Sequence, residues 1–439
     1  MVRIKIQDLK SWGQLVNILF GALAVSCVAI WNGYPLVYHD TGTYLSSSYS
    51  LSVPLDRPVF YGLFLRVARS LWVSNWTAVL AQCLVISFLL HTLLRQLKVR
   101  WPNVIIIMLC LLTSLPWLAG QLMPDIFTSC LAIALYLLVF YHAQLRRLTL
   151  LSTFACAVFA VMVHQSHLFI ALGTMLFYSW RGRKVALAVV ATAMLLSIVI
   201  NAALGAGYFV IRNGQNFVAA RMVHDGLVSQ LLADRCAEKN YVLCPYQDSL
   251  RNLRGDQYLW GQNSPFAKIG GWQAEASPTL TVIFDSLRFH PKDNLVAALS
   301  SFTQQLVTFA VGDGLKAYPE SASVVQNLEL NAGGELGSFQ LSRQQAGRLA
   351  QDADSFAPLQ IGAFYLALAF LIATCRFGSL ASFVLVFFAT NALLCAVLSG
   401  VAARYQSRVE WLVLLAALVQ LGEMLSVVPH KQLEPIYIE

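Results

Sequence analysis

Two acids in this chain sit among residue types that could move a proton or meet a phosphate. Asp40 belongs to Tyr38-His39-Asp40-Thr41-Gly42-Thr43-Tyr44, and Asp125 to Gln121-Leu122-Met123-Pro124-Asp125. A fixed carboxylate can take the proton of an attacking hydroxyl, or help hold a divalent cation such as Mg or Mn. Each also has a plainer reading: Asp-Thr-Gly is ordinary turn chemistry, and Pro-Asp at a helix start suits capping and the helix dipole. Arg57 follows Asp56 and can either pair with it or reach an anion. Arg404 and Arg408, in Ala403-Arg404-Tyr405-Gln406-Ser407-Arg408, can grip a phosphate through paired N–H donors or snorkel to headgroups. His164 and His167 could join Asp40 and Asp125 around a metal, or form a polar interfacial turn. Tyr44, Tyr405, the pair His224-Asp225 and Trp260 complete the candidates, because aromatic faces beside acids are common in sugar-binding clefts, though they serve plain packing as well.

These groups stand out because the rest of the chain avoids charge. Only 12% of its 439 residues are charged, 57% are hydrophobic, and the mean hydropathy is +0.62, whereas ordinary globular domains carry about 25% charged residues. Continuous runs of roughly 17 to 22 apolar residues recur, long enough to cross a hydrocarbon core as helices and without the alternation of barrel strands. An all-α polytopic membrane protein follows. The first run, near 15–32, reads as an uncleaved helix, since no small-residue cleavage site precedes Asn32-Gly33. The net charge of +8 is read as orientation, with no nucleic acid among the expected partners.

Basic residues alternate between connections. Arg3, Lys5 and Lys10, then Arg95, Lys98 and Arg100, then Arg146 and Arg147, then Arg181, Arg183 and Lys184 mark one side as cytoplasmic. The pattern predicts about ten spans, near 15–32, 76–95, 102–119, 125–142, 149–164, 167–180, 185–207, 359–375, 379–400 and 410–428, with both termini inside. Segment 294–311 is apolar enough to span, yet an extra span would set the last connection against Arg376 and Lys431. The chain divides into an N-terminal membrane module at 1–207, a large external region at 208–358 and C-terminal spans at 359–439. In the first external loop, Val59, Phe60, Leu63, Phe64, Val67 and Leu71 recur at helical spacing across from Arg66 and Arg69. That predicts a helix over 58–72, lying in the membrane plane or packed on the surface. Seven of the nine cysteines lie in or beside apolar runs; Cys236 and Cys244 lie outside, where an oxidising compartment favours a disulfide.

No phosphate-cradling glycine loop, His-Glu-x-x-His or Gly-x-Ser-x-Gly is present, and no internal repeat is evident. Taken together, Asp40-Thr41-Gly42-Thr43-Tyr44, Arg57-Pro58-Val59-Phe60-Tyr61, Pro124-Asp125 and Arg404-Tyr405 resemble the GT-C superfamily of membrane glycosyltransferases, bacterial members in particular. The resemblance implies inverting transfer of a sugar from a polyprenyl-phosphate donor to a glycan, lipid or protein acceptor at the outer face of the cytoplasmic membrane. It maps the catalytic acid to Asp40 and a second acid to Asp125. One departure is the lack of the paired acids found in some branches. A polysaccharide polymerase or ligase, and a lipid or solute transporter or flippase, are the competing readings of the same residues.

Overall fold

The computed structural model describes residues 6–70, 74–178, 180–274, 278–374 and 380–425. Arg3, Lys5, Arg376 and Lys431 lie outside the described residues, as do residues 71 and 72 of the expected loop helix and the ends of three expected spans at 375, 379 and 426–428. Every regular element among the described residues is helical; the one extended pairing is an isolated parallel bridge between Leu36 and Gln121.

Four helices are long and apolar enough to cross a membrane: Asn75–Gln96, Gly182–Ala203, Arg348–Ala373 and Leu380–Leu398. Shorter apolar helices occupy Trp12–Val25, Pro102–Leu112, Ile126–Phe140 and Arg147–Met162. Outward-facing Leu187, Leu195 and Val199, and Leu359, Leu366 and Ile372, are exposed on two of the long helices. Apolar faces of that kind suit a hydrocarbon surround and are compatible with a multi-pass membrane protein.

At the centre stands Ile126–Phe140, where every side chain from Ile126 to Val139 is buried. A helix that is apolar all round must be enclosed by others. Helices 75–96, 147–162, 165–175, 380–398 and Ala403–Leu425 enclose it. The last of these is itself buried from Gln406 to Ala417.

Two expectations change in detail. The expected span 102–119 breaks at Thr113 into Pro102–Leu112 and Leu115–Ala119, because Pro116 lacks an N–H and disfavours helical backbone before it. The freed groups are absorbed by the final helix: Ser114 N donates to Glu410 Oε1 at 3.0 Å, and its Oγ donates to Ser407 O at 2.5 Å. The first loop is also more regular than expected, with a helix at Thr41–Ser50 beginning directly after Asp40.

The loop helix forms at Phe60–Arg69, but its apolar residues Phe60, Tyr61 and Leu65 are buried in protein. Arg69 turns inward to Asn331 O at 3.0 Å, while Arg66 stays exposed and reaches back to Ser48 O at 2.9 Å. The region 208–358 divides by core. Residues between Ala219 and Ile283 form a separate hydrophobic cluster, braced by the Cys236–Cys244 disulfide, while Phe309 to Ala353 contribute to the main core. Pro291–Val307 is helical and packs along Leu380–Leu398.

The helix carrying Asp40 at its start is set by a close approach. A Cβ on Gly42 would meet Ser323 O and Val324 Cα at 3.0 Å, so a side chain there would press helix Ser323–Ala332 away from 41–50. Gly42→Val should therefore push the two apart and lower stability by about 1–3 kcal/mol. A drop in the thermal unfolding midpoint in detergent would show it; an unchanged midpoint would mean the helices adjust freely.

Candidate functional site

The two acids are registered by their own backbones. Leu36 N donates to Gly120 O at 2.9 Å and Leu122 N donates to Leu36 O at 2.8 Å, four residues before Asp40 and just before Asp125. Thr41 Oγ1 adds a bond to Leu122 O at 3.1 Å. Buried glutamines fix the flanks as backbone mimics, offering a donor and an acceptor on one amide. Gln344 accepts from Val37 N at 3.1 Å and donates to Val37 O at 2.8 Å. Gln305 does the same for Ala402, with both bonds at 2.9 Å, just before the arginine-bearing helix 403–425.

Neither acid uses its carboxylate as a helix cap, although each occupies the capping position. Asp40 Oδ1 receives Arg57 Nη1 at 2.9 Å, and Asp40 Oδ2 faces both terminal nitrogens of Arg404 at 3.4 Å. Arg404 Nε lies 3.9 Å from Asp125 Oδ1, and Arg408 Nη1 lies 3.5 Å from the same oxygen. Asp56 holds the far side of Arg57 through Nε at 2.7 Å. The charges therefore alternate as Asp56, Arg57, Asp40, Arg404, Asp125, Arg408. Arg404 also lies over the ring of Tyr38 at 4.5 Å, and Arg57 over that of Tyr44 at 5.4 Å.

This ladder runs inward from a cavity of about 1110 Å³ whose wall includes Asp40, Tyr44, Asp56, Arg57, Arg404 and Tyr405. That exceeds the ordinary small-molecule range of about 300–1,000 Å³, so two substrates can share it. Asp40 keeps 24% of its side chain exposed, while Asp125 keeps 2% and Arg408 none. No protein family, curated protein or solved structure matches this chain. The geometry therefore carries the functional argument alone.

Several expected members are placed elsewhere. Asp125 and Arg408 are not among the residues lining the cavity. Arg408 instead backs Asp125, the same Nη1 lying 3.3 Å from His164 Nε2 while Nη2 donates to Cys395 Sγ at 3.0 Å; of the three arginines only Arg57 and Arg404 line the cavity. His224 and Asp225 also fall outside the lining, Asp225 being paired with Arg221 at 2.8 Å. Trp260 does line the cavity, opposite in character to the ionic wall. Tyr38 and Gln344 were given no role in sequence; a tyrosine two residues before an acid and a glutamine within a polar stretch give no distinctive signal.

The four residues considered as metal ligands do not form a set. His167 is used on both ring nitrogens, Nδ1 by Ala160 O at 2.6 Å and Nε2 by Thr128 Oγ1 at 2.7 Å. His164 Nε2 and both acids already face guanidinium groups, which would repel a cation. Among the described residues no group of three or more His, Cys, Asp or Glu is arranged to hold one.

Burial pushes the Asp40 carboxyl upward, but Arg57 and then Arg404 outweigh it and hold the group below the usual carboxylate range. Burial, reinforced by Lys316, lowers the neighbouring His39. Because the folded-state value of Asp40 is depressed, its stabilising contribution is present above the unfolded value of about 3.9 and is lost as pH falls through the folded value. The difference in unfolding midpoint between the parent and Asp40→Asn should thus stay constant from about pH 8 to 5 and shrink below about 4. A difference that already shrinks near pH 6 would contradict the pairing. Asp125→Asn should cost more, roughly 3–5 kcal/mol, since it leaves the sealed Arg408 facing no acid and Arg404 with Asp40 alone. Thermal unfolding in detergent checks this, and a loss under 1 kcal/mol would remove Asp125 from its supporting place.

Proposed function

We propose that the protein is an inverting membrane glycosyltransferase of GT-C architecture, moving a sugar from a polyprenyl-phosphate donor to an acceptor. The reading includes about ten spans, both termini in the cytoplasm, and a site on the outer face of a bacterial cytoplasmic membrane. One observation carries it: a partly exposed carboxylate, Asp40, is held between two guanidinium groups on the wall of a cavity large enough for two substrates.

Arg57 is fixed by Asp56 and Asp40 at short distances, whereas Arg404 touches both of its acids loosely. A phosphodiester entering the cavity competes for Arg404, and its pull leaves Asp40 with one cation fewer. The carboxylate becomes a stronger base at the moment the donor is seated. An acceptor hydroxyl then attacks the anomeric carbon; its proton passes to Asp40, and the bond from that carbon to the phosphate oxygen breaks with its electron pair leaving on phosphate. Arg57 and Arg404 stabilise the charge that develops there. Asp125 and Arg408 take no part in bond making; they hold Arg404 at its post. No cation is required, since guanidinium groups supply the positive charge.

Purified protein in lipid nanodiscs should transfer label from polyprenyl-monophosphate sugars. Asp40→Asn should lower the turnover by about 10²- to 10⁴-fold, the usual range for a lost general base, while Arg404→Lys should weaken donor binding. Full turnover by Asp40→Asn, or movement of intact lipid across the bilayer with no transfer from any monophosphate donor, would refute the assignment.

A further inference from the structure

The wall facing the ionic ladder has a chemistry of its own. The single-turn helix Gly255–Trp260 buries Tyr258 and Leu259 and turns Asp256, Gln257 and Trp260 into the same cavity. Its placement depends on Gly255, where a Cβ would lie 2.9 Å from Ala220 O, so the turn can sit directly on helix Gly214–His224. That second helix contributes Gln215 and Phe217 to the wall.

Trp260 is 52% exposed even though an aromatic cluster stands beside it. Its ring lies 5.2 Å from that of Trp272, which packs at 5.4 Å on Phe217 and 5.3 Å on Phe266. The indole is thus backed by rings on one side and leaves a face to the cavity. A large aromatic face left open costs burial unless something covers it. One helical turn away, Gln257 accepts from Arg254 N through Oε1 at 3.3 Å and keeps its amide donors for another partner.

An apolar ring face beside an amide and an exposed ion pair, Asp256 being held by Arg254 at 3.0 and 3.3 Å, matches a molecule with an apolar C–H face and a rim of hydroxyls. We infer that this wall is the acceptor subsite and that the acceptor is a carbohydrate, its pyranose ring stacked on Trp260 and its hydroxyls bonded by Gln257 and by the exposed Asp256–Arg254 pair. The inference rests on the transferase reading and narrows it. A lipid tail would leave Asp256, Gln257 and Gln215 facing hydrocarbon, and a peptide would have no need of a ring-backed indole platform. The subsite lies in the separate cluster of residues 219–283, so the two walls come from different cores.

Saturation-transfer NMR of the full-length protein in nanodiscs, without donor, against a panel of neutral and N-acetylated hexose oligosaccharides tests the subsite directly. At least one should bind; Trp260→Ala should weaken it tenfold or more, Trp260→Phe should keep most of the affinity, and Gln257→Ala should weaken it severalfold. Absence of binding across the panel, or equal binding by Trp260→Ala with an unaltered unfolding midpoint, overturns the proposal. Failure of the two readings separates cleanly. Oligosaccharide binding without sugar transfer from any donor leaves this subsite and removes the transferase, whereas transfer to a lipid or peptide that Trp260→Ala does not slow leaves the transferase and removes the subsite.

Discussion

A single guanidinium, that of Arg404, stands between the carboxylates of Asp40 and Asp125, and the arrangement around the cavity depends on it. The pairs on either side extend it into three acids and three bases in alternation. Equal numbers of each sign leave the set neutral, which is the condition under which charges can be held away from water. Removing one member strands its neighbours. The set therefore binds the loop at 56–57 and the starts of helices 41–50, 126–140 and 403–425 to one another. Four stretches distant in sequence become a single site.

Coulombic attraction alone would not fix those stretches at a defined register, because charges attract without direction. The directional part comes from neutral groups. Leu36 pairs with Gln121 across one parallel bridge, and Gln344, Gln305 and Gln345 each clamp a residue through both its N–H and its C=O. Gln82 joins them by donating to Ala119 O and Gln121 O at 2.7 and 2.5 Å. Buried amides of this kind satisfy backbone that no regular element satisfies. They hold the irregular segments leading to Asp40, Asp125 and Arg404 rigid, which long helices alone could not do.

Sequence reasoning found the charged and several aromatic members of this site and missed the buried glutamines that register it, for a physical reason. In a chain this poor in charge, Asp40, Asp125, Arg404 and Arg408 depart from their surroundings, and the departure is visible without coordinates. A glutamine in a polar stretch such as Ser342 to Gln345 departs from nothing, and its role exists only once a backbone segment some 300 residues away lies beside it. Many apolar helices were legible from their composition, but the first run breaks near Ser26, Pro116 breaks another, and polar helices such as Thr41–Ser50 and those of 214–289 carried no apolar stripe to place them. The depth of each group was also hidden. Arg408 and Arg404 share one helix and one residue type, yet one is sealed behind Asp125 and the other meets the cavity. That difference separates a positioning residue from a binding one.

Neutrality also bears on the chemistry proposed. A phosphodiester adds one negative charge to a set that sums to zero, and sugar transfer would turn that diester into a monoester carrying one more. Over the same step Asp40 gains a proton and loses its charge, so the total does not change. What moves is the location of the charge, from a carboxylate on one side of Arg57 and Arg404 to a phosphate on the other. A site whose cations already lie between both positions needs little reorganisation to follow that shift, and low reorganisation is where electrostatic catalysis gains most over water. A divalent ion at the same place would bind Asp40 more tightly as the carboxylate and oppose its protonation. An arginine ladder thus suits a carboxylate base better than a metal does, and in the proposed step the 3.4 Å contacts of Arg404 with Asp40 would cost little to exchange for a phosphate.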